Sequence, residues 1–434
     1  MERKIQKQLD LWKASPRRKP LILQGARQVG KTHALKEFGR RSFEKTIYLN
    51  FEEDSALSEI FSGKLSANHL LGQISLYTGQ EVTPATLLIL DEIQVCEKAL
   101  TSLKYFQEEA SEYYIAAAGS LLGVKLGHSK SFPVGKVNFL NLYPMSFSEF
   151  LLAAGENKLF ETLAETTTLL SAGPPHEKLL NLLKQYLLVG GMPEAVASYV
   201  QKKDLKEVRE IHHEILRSYE LDFAKYSNHF NSLKIASIWN SLPAQLSREN
   251  KKFKLSEIKT SARYREYEVA LQWLIDAGLV LQSRWISSSK LPLAAYADSS
   301  TFKLYLLDVG LLSTKMQLHP KIILDEHQLF QEAKGALVEN YVAQELVVSH
   351  ERPLLYWSNE NRAEVDFVFQ HEDQVFPMEV KSGNTSHKKS LNIYCEKFHP
   401  KISIRWSPQP TKMQKDFINL SFYEVARFLR LLEI

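Results

Sequence analysis

The run Gly25-Ala26-Arg27-Gln28-Val29-Gly30-Lys31-Thr32 constrains this chain more than any other stretch. It has the spacing G-x-x-x-x-G-K-[ST], which carries meaning only where a strand leads in and a helix leads out. Both conditions hold: apolar Leu21-Ile22-Leu23 precedes the run, and Thr32–Phe38 follows with helical character. The glycines permit a tight loop whose backbone N–H groups turn toward an anion, reinforced by the helix N-terminus. A phosphate cradle built from Gly25, Ala26, Arg27, Gln28, Val29 and Gly30 is expected. Lys31 would neutralise the β- and γ-phosphates and the Thr32 hydroxyl would ligate Mg2+.

Such a loop needs an acidic partner. Leu87-Leu88-Ile89-Leu90 reads as a strand buried on both faces, delivering Asp91-Glu92 to the carboxyl edge of a sheet. Asp91 is placed to hold Mg2+ through water, and Glu92 to polarise an attacking water as a general base. Ala116-Ala117-Ala118-Gly119-Ser120 ends another strand-like run. Ser120 there either watches the γ-phosphate or caps the helix that follows. ATP with Mg2+ is the expected cofactor pair, although no base-reading motif separates ATP from GTP.

The surrounding pattern is α/β. Strands are expected at Pro20–Gln24, Thr46–Phe51, Thr86–Leu90, Tyr113–Ala118 and Val137–Leu142. Helices are expected at Lys31–Arg40, Ala56–Tyr77 and Lys98–Ala110. Strand–helix repetition of this kind argues a parallel sheet with right-handed crossovers. At 434 residues the chain exceeds one ordinary core, so several domains are expected. We divide it into a nucleotide domain over 1–145, a helical lid over 146–204, a middle domain over 205–316 and an α/β domain over 317–434.

In the middle segment, helices at Lys206–Tyr226, Ser232–Gln245, Leu255–Ser261 and Tyr264–Ala277 precede strands at Leu279–Ile286 and Thr301–Leu307. That order is the order of a winged helix. Tyr264-Arg265-Glu266-Tyr267-Glu268, with Lys251, Lys252, Lys254 and Lys259 nearby, is a candidate groove-reading element, but Glu266 and Glu268 oppose that role. His212-His213 has no partner at metal-ligand spacing and reads as a surface or packing pair.

The net charge of +4 is too small to announce a nucleic-acid partner by itself. Cys96 and Cys395, the only two cysteines, form neither a disulfide framework nor a zinc site. No apolar run approaches the roughly 20 residues of a membrane helix. A cytoplasmic protein without a membrane partner is expected, and a homo-oligomer is left open.

Four motifs together make a resemblance: Gly25–Thr32, Leu90-Asp91-Glu92-Ile93-Gln94, Ala118-Gly119-Ser120-Leu121-Leu122-Gly123 and Leu142-Tyr143-Pro144-Met145-Ser146-Phe147-Ser148-Glu149-Phe150. With Gly190-Gly191-Met192-Pro193 and the final domain, the chain resembles a prokaryotic family of AAA-like P-loop ATPases. Members carry a C-terminal domain of unassigned function. The resemblance implies ATP hydrolysis. It also implies an arginine where this chain has Lys136, a departure that replaces a planar fork with a point charge and implies slow turnover.

The final domain carries a second constellation. A helix is expected at Phe330–Val348, and strands at Leu354–Trp357, Glu364–Phe369 and Val375–Val380. A hairpin through His371-Glu372-Asp373 would bring Asp366 beside Glu379 and Lys381. Two carboxylates can hold Mg2+, an adjacent lysine can orient a water, and Glu339 on the helix could add an acidic ligand. The order is similar to the PD-(D/E)xK nuclease superfamily. By that resemblance Glu339, Asp366, Glu379 and Lys381 form a catalytic quartet around a second Mg2+ or Mn2+, in a restriction-endonuclease-like fold. A nuclease-like fold used only for binding stays open beside it. Between Lys381 and Lys415 there are eight Lys or Arg against one acid, Glu396, with Tyr394, Phe398 and Trp406 interleaved. DNA is therefore a candidate macromolecular partner through this stretch and the winged helix; the alternatives are a solubilising basic face with core aromatics and a winged helix used for domain packing or protein contact. The alternative is a signalling or scaffold switch whose C-terminal domain binds protein partners.

Overall fold

The structure, a computed structural model, describes residues 1–120, 133–165, 171–225, 229–324, 331–359, 363–383 and 389–432. The side chain of Ser120, the Leu121-Leu122-Gly123 that follows it, Tyr226, Phe330 and Lys388 lie outside the described residues. Two compact units result: Glu2–Tyr143 with Asp276–Gly278, and Pro144–Ile275 with Leu279–Ile434. The segments expected over 146–204, 205–316 and 317–434 lie in the second, apart from Asp276–Gly278.

The first unit is built on five strands: β1 (Leu21–Gly25), β2 (Lys45–Asn50), β3 (Thr86–Asp91), β4 (Tyr114–Ser120) and β5 (Asn138–Asn141). Their order is β2-β3-β4-β1-β5, and every pairing is parallel. Every residue of β3 is buried, which explains its unbroken apolar sequence. Helices Lys31–Ser42 and Glu97–Glu109 fall where periodicity places them. The single helix expected over Ala56–Tyr77 is instead two, Leu57–Ile60 and Ala67–Thr78. Phe61 turns fully into the core and Ser66 enters the second helix in extended conformation, so the apolar spacing continues across a break. An N-terminal helix, Ile5–Ala14, buries Ile5, Leu9 and Trp12. Just before it, Arg3 donates to the Val29 carbonyl at 3.0 Å and to the Tyr143 carbonyl at 2.7 Å.

The second unit opens with helices Phe147–Ala153, Asn157–Glu165, Pro174–Val189 and Pro193–Lys202. Ser146 and Glu149 form a reciprocal capping box on the first. Helices Leu205–Lys225, His229–Leu246 and Tyr264–Asp276 follow, and Leu255–Glu257 is only a 3-10 turn where a longer helix was expected. Strands β6 (Val280–Ile286) and β7 (Ala297–Leu306) pair antiparallel, as a winged-helix hairpin would. However, the other edge of β6 pairs in parallel with β8 (Leu354–Asn359), which pairs with β9 (Ala363–Val365). The hairpin is thus half of a four-stranded sheet in the order β7-β6-β8-β9. A second sheet holds β10 (Phe367–His371), β11 (Gln374–Val380), β12 (Ser403–Ser407), β13 (Lys412–Met413) and β14 (Phe417–Ser421), in the order β10-β11-β12-β14-β13. The strand expected over Glu364–Phe369 is broken at Asp366, because its two halves pair in different sheets.

A buried polar junction joins the first helices of this unit to its later part. Asp308 is fully buried; it accepts from Leu311 N at 3.0 Å, capping helix Val309–Lys315, and from Gly191 N at 2.6 Å. No side chain fits at Gly191, since a Cβ would stand 2.0 Å from the Met145 carbonyl oxygen. Beside it, His212 is fully buried, with Nε2 3.0 Å from the Val189 carbonyl and Nδ1 2.9 Å from Thr314 Oγ1. A carbonyl can only accept, so Nε2 carries the proton and Nδ1 accepts from the threonine. His212 is thus a satisfied core residue rather than a surface one. Burial lowers its pKa from 6.5 to about 4, with Arg209 and His213 adding to the shift and the Val189 hydrogen bond opposing it. The folded state refuses a proton that the unfolded chain accepts. Stability is therefore intact above pH 6.5 and is lost as the pH falls toward 4. We expect this group to cost about 2 kcal/mol between pH 7.5 and pH 5. Thermal melts at the two pH values should show that sensitivity, and His212→Gln should remove it.

Candidate functional site

The sheet order sets β1 between β4 and β5, so the loop after β1 opens at the carboxyl edge of the sheet. Gly25 ends β1 against the Leu142 carbonyl oxygen, which would lie 2.2 Å from any Cβ added there. Gly30 has φ of 93° and starts the helix Lys31–Ser42. Both glycines are thus demanded by the backbone path. Lys31 is almost fully buried, its Nζ donating to the carbonyls of Gly25 (3.0 Å) and Ala26 (2.8 Å).

Across β4, β3 delivers Asp91. Thr32 Oγ1 donates to Asp91 Oδ2 at 2.7 Å, so the hydroxyl and carboxylate expected to share Mg2+ already meet. Tyr48 on β2 donates to the same oxygen at 2.9 Å, and Lys36 lies 3.5 Å from the Tyr48 ring centre. Glu92 adopts left-handed backbone at φ 50°, uncommon for a residue other than glycine, and its carboxylate accepts from Gln94. Strain of this kind gathers at functional positions. The glycine cradle, the buried ammonium and the Thr32–Asp91 pair fit a magnesium-bound triphosphate. Ser120 is opposite Gly25 in the β1–β4 register, which places its backbone at the same edge.

Neither Tyr48 nor Arg3 was foreseen. Tyr48 sits two residues before Asn50, the register partner of Asp91, in an alternating strand whose polar positions share one face. That alternation was the available signal. Arg3, buried in a charged N-terminal stretch, gave none. Lys136 is partly exposed and pairs with Glu108 at 2.9 Å, as a basic turn does.

The C-terminal residues converge as well. Phe367 pairs with Met378, which sets Asp366 beside Glu379, and Asp366 Oδ2 accepts from Val380 N at 2.8 Å. Glu364, Asp366, Glu379 and Lys381 line a cleft of about 670 Å3 with Trp285, Ser358 and other polar residues. Lys381 pairs with Glu379 at 2.9 Å, and the second oxygen of Glu379 is buried without a partner. Glu339, in the helix Gln331–His350, is already occupied. It accepts from Lys251, from Lys303 at 3.1 Å and from Tyr305 at 2.6 Å. Burial would raise the Glu339 carboxyl, but Lys251 and Lys303 hold it well below the usual range. Asp366 moves the other way: burial and the Glu339 charge raise it, against Lys303 and Lys251. Among the described residues, no three carboxylate, histidine or cysteine side chains are grouped to hold a metal ion. The quartet thus shares one locality without fitting a divalent ion. Lys303 was missed, although a lysine inside Phe302-Lys303-Leu304-Tyr305-Leu306 was a signal, since a buried charge demands a partner.

The aromatics interleaved in the basic stretch pack inward, as the core-aromatic alternative has it. Tyr394 and Trp406 are fully buried, and Tyr394 packs with Phe398 on Trp357 in a core cluster. Lys251, expected near phosphate, turns inward to Glu339. No helix among the described residues is long and apolar enough to cross a membrane.

A family model described as an AAA domain matches residues 17–151, which include the loop, Asp91 and Glu92. Residues 17–151 are thus similar to an AAA domain with a P-loop. Two domains of unknown function match elsewhere: DUF8612 at residues 180–321 and DUF4143 at residues 334–423. No curated protein matches the sequence. A solved Walker-type ATPase of Pyrococcus abyssi is similar at 13% identity and a TM-score of 0.46, covering 72% of this chain and 95% of its own. Cdc6p from Pyrobaculum aerophilum has 14% identity and a TM-score of 0.27, over 74% of this chain and 94% of its own. AMPPCP-bound DnaA from Aquifex aeolicus has the same identity and TM-score, over 63% and 86%. At these scores the likenesses carry no argument about this chain.

Burial lowers the Lys31 ammonium to about 8; Glu92 and Asp91 oppose the shift and Arg27 adds to it. Below that pH the lysine is charged before any ligand arrives. Above it, binding a polyphosphate must also take up a proton, so affinity falls by up to roughly tenfold per pH unit. Calorimetric titration of ATP at pH 9, in buffers of different ionisation heat, should register that proton.

Proposed function

We propose that the chain binds ATP with Mg2+ through Gly25–Thr32 and Asp91, and hydrolyses it with Glu92 as general base. The observation that carries this reading is the 2.7 Å contact between Thr32 Oγ1 and Asp91 Oδ2, beside a buried Lys31. When bound, Mg2+ would supply charge neutralisation at the β- and γ-phosphates. The protein's own contribution begins with Lys31. It exchanges the carbonyls of Gly25 and Ala26 for phosphate oxygens, which are stronger acceptors for an ammonium. Thr32 and Asp91 orient the cation, with Tyr48 fixing the carboxylate rotamer. Glu92 takes the proton of the attacking water, its carboxylate steered by Gln94. ATP is preferred over GTP on the family resemblance. Lys136, tied to Glu108, leaves no arginine finger at that position, which supports slow turnover.

Lys31→Ala should abolish nucleotide binding. Glu92→Gln should keep binding and slow hydrolysis on the order of a hundredfold. Fluorescent-nucleotide titration and phosphate release measure the two, and unchanged hydrolysis in both variants would sink the assignment.

For the larger unit, nucleotide state either gates a nuclease or controls binding to partners without C-terminal chemistry. The engagement of Glu339 by Lys251, Lys303 and Tyr305 favours the second. Plasmid incubated with the protein, ATP and Mn2+ should stay intact. Cleavage that Asp366→Ala and Lys381→Ala both abolish would instead establish the nuclease.

A further inference from the structure

Lys303 lies in the half of β7 that is buried on both faces, where its side chain has no solvent to turn to. Its Nζ stands 3.1 Å from Glu339 Oε1, 2.6 Å from Glu364 Oε1 and 3.6 Å from Asp366 Oδ1. Those carboxylates come from three places: the helix Gln331–His350, strand β9, and the bend between β9 and β10. The Tyr356 ring closes another side, its centre 5.0 Å from Nζ.

One ammonium therefore gathers Glu339 and Asp366, two of the carboxylates expected around a divalent cation, together with Glu364, while Glu379 pairs with Lys381. The two cations are not interchangeable. An ammonium takes each oxygen at ordinary hydrogen-bond distance, whereas Mg2+ demands near-octahedral oxygens at about 2.0 to 2.1 Å. Adding a divalent ion among these oxygens would also place it against the ammoniums of Lys303 and Lys251, in surroundings that screen charge weakly.

We propose that Lys303 is a resident cation beside the C-terminal cleft, standing where a divalent ion was expected, so that Glu339, Glu364 and Asp366 are held together without one. This goes beyond the non-catalytic reading, because it names what fills the site and is read without any activity. Removing the Lys303 ammonium while keeping the stem leaves Glu339, Glu364 and Asp366 with Lys251 as the one cation the structure still places on them, and that under-neutralised cluster takes up a divalent ion in its place.

The experiment is a Mn2+ titration of the full chain without nucleotide, following free Mn2+ by electron paramagnetic resonance. It compares the natural sequence, Asp366→Asn, Lys303→Met and Lys303→Met with Asp366→Asn. The natural sequence and Asp366→Asn should take up the same Mn2+. Lys303→Met should gain one site at least roughly tenfold tighter, lost again when Asp366→Asn is added. A site in the natural sequence that Asp366→Asn removes overturns the proposal, and so does a folded Lys303→Met that gains none. If Lys303→Met fails to fold, the natural sequence against Asp366→Asn decides alone: equal uptake supports the proposal, and lost uptake overturns it.

Discussion

A carboxylate can leave water only where donors meet it, and the second unit is organised around that demand. The helix Gln331–His350 buries Glu339, Asn340, Gln344 and Glu345. Their partners come from several parts of the chain, with β7 answering both Glu339 and Asn340. Glu345 accepts from Phe147 N at the start of the capped helix. Gln344 accepts from Val309 N and donates to Tyr186. Asn340 holds both the N–H and the carbonyl of Leu306. Apolar side chains at these positions would pack in many registers. Amides and carboxylates that must each meet their own donors and acceptors accept one.

The first unit follows a different logic. Its central strands are apolar over most of their length, Thr86 at the start of β3 being an exception, and the candidate site residues gather at the carboxyl edge, where strand ends and a helix start converge. Rigidity there comes from below: the β3 core fixes Asp91, the Leu142 carbonyl fixes Gly25, and Arg3 fixes the Val29 carbonyl. The loop itself retains little freedom to lose when an anion arrives, which is the benefit of preorganisation.

The sequence made the first unit legible because local pattern and tertiary role coincide there. Apolar runs became buried strands, and the loop spacing became the loop. It misled where one apolar period ran through a break, as between Ile60 and Ala67, and where one strand-like run served two sheets, as at Asp366. The C-terminal carboxylates could be placed together from strand alternation and hairpin length. Their state could not, because the deciding charge, Lys303, comes from a segment separated from Asp366 by more than a whole helix and a strand. The interleaved aromatics left two readings open, a binding surface and a core, and only long-range packing separates the two.

The parallel pairing of β6 with β8 has a consequence for dissecting the protein. A fragment starting near residue 317 would leave behind β6, Lys251, Lys303 and Tyr305 together. It would present β8 as a bare sheet edge, open to pairing with another copy, beside a buried glutamate stripped of its donors. Such a piece should aggregate rather than fold, whereas one beginning at Pro144 keeps both the edge and the charge covered.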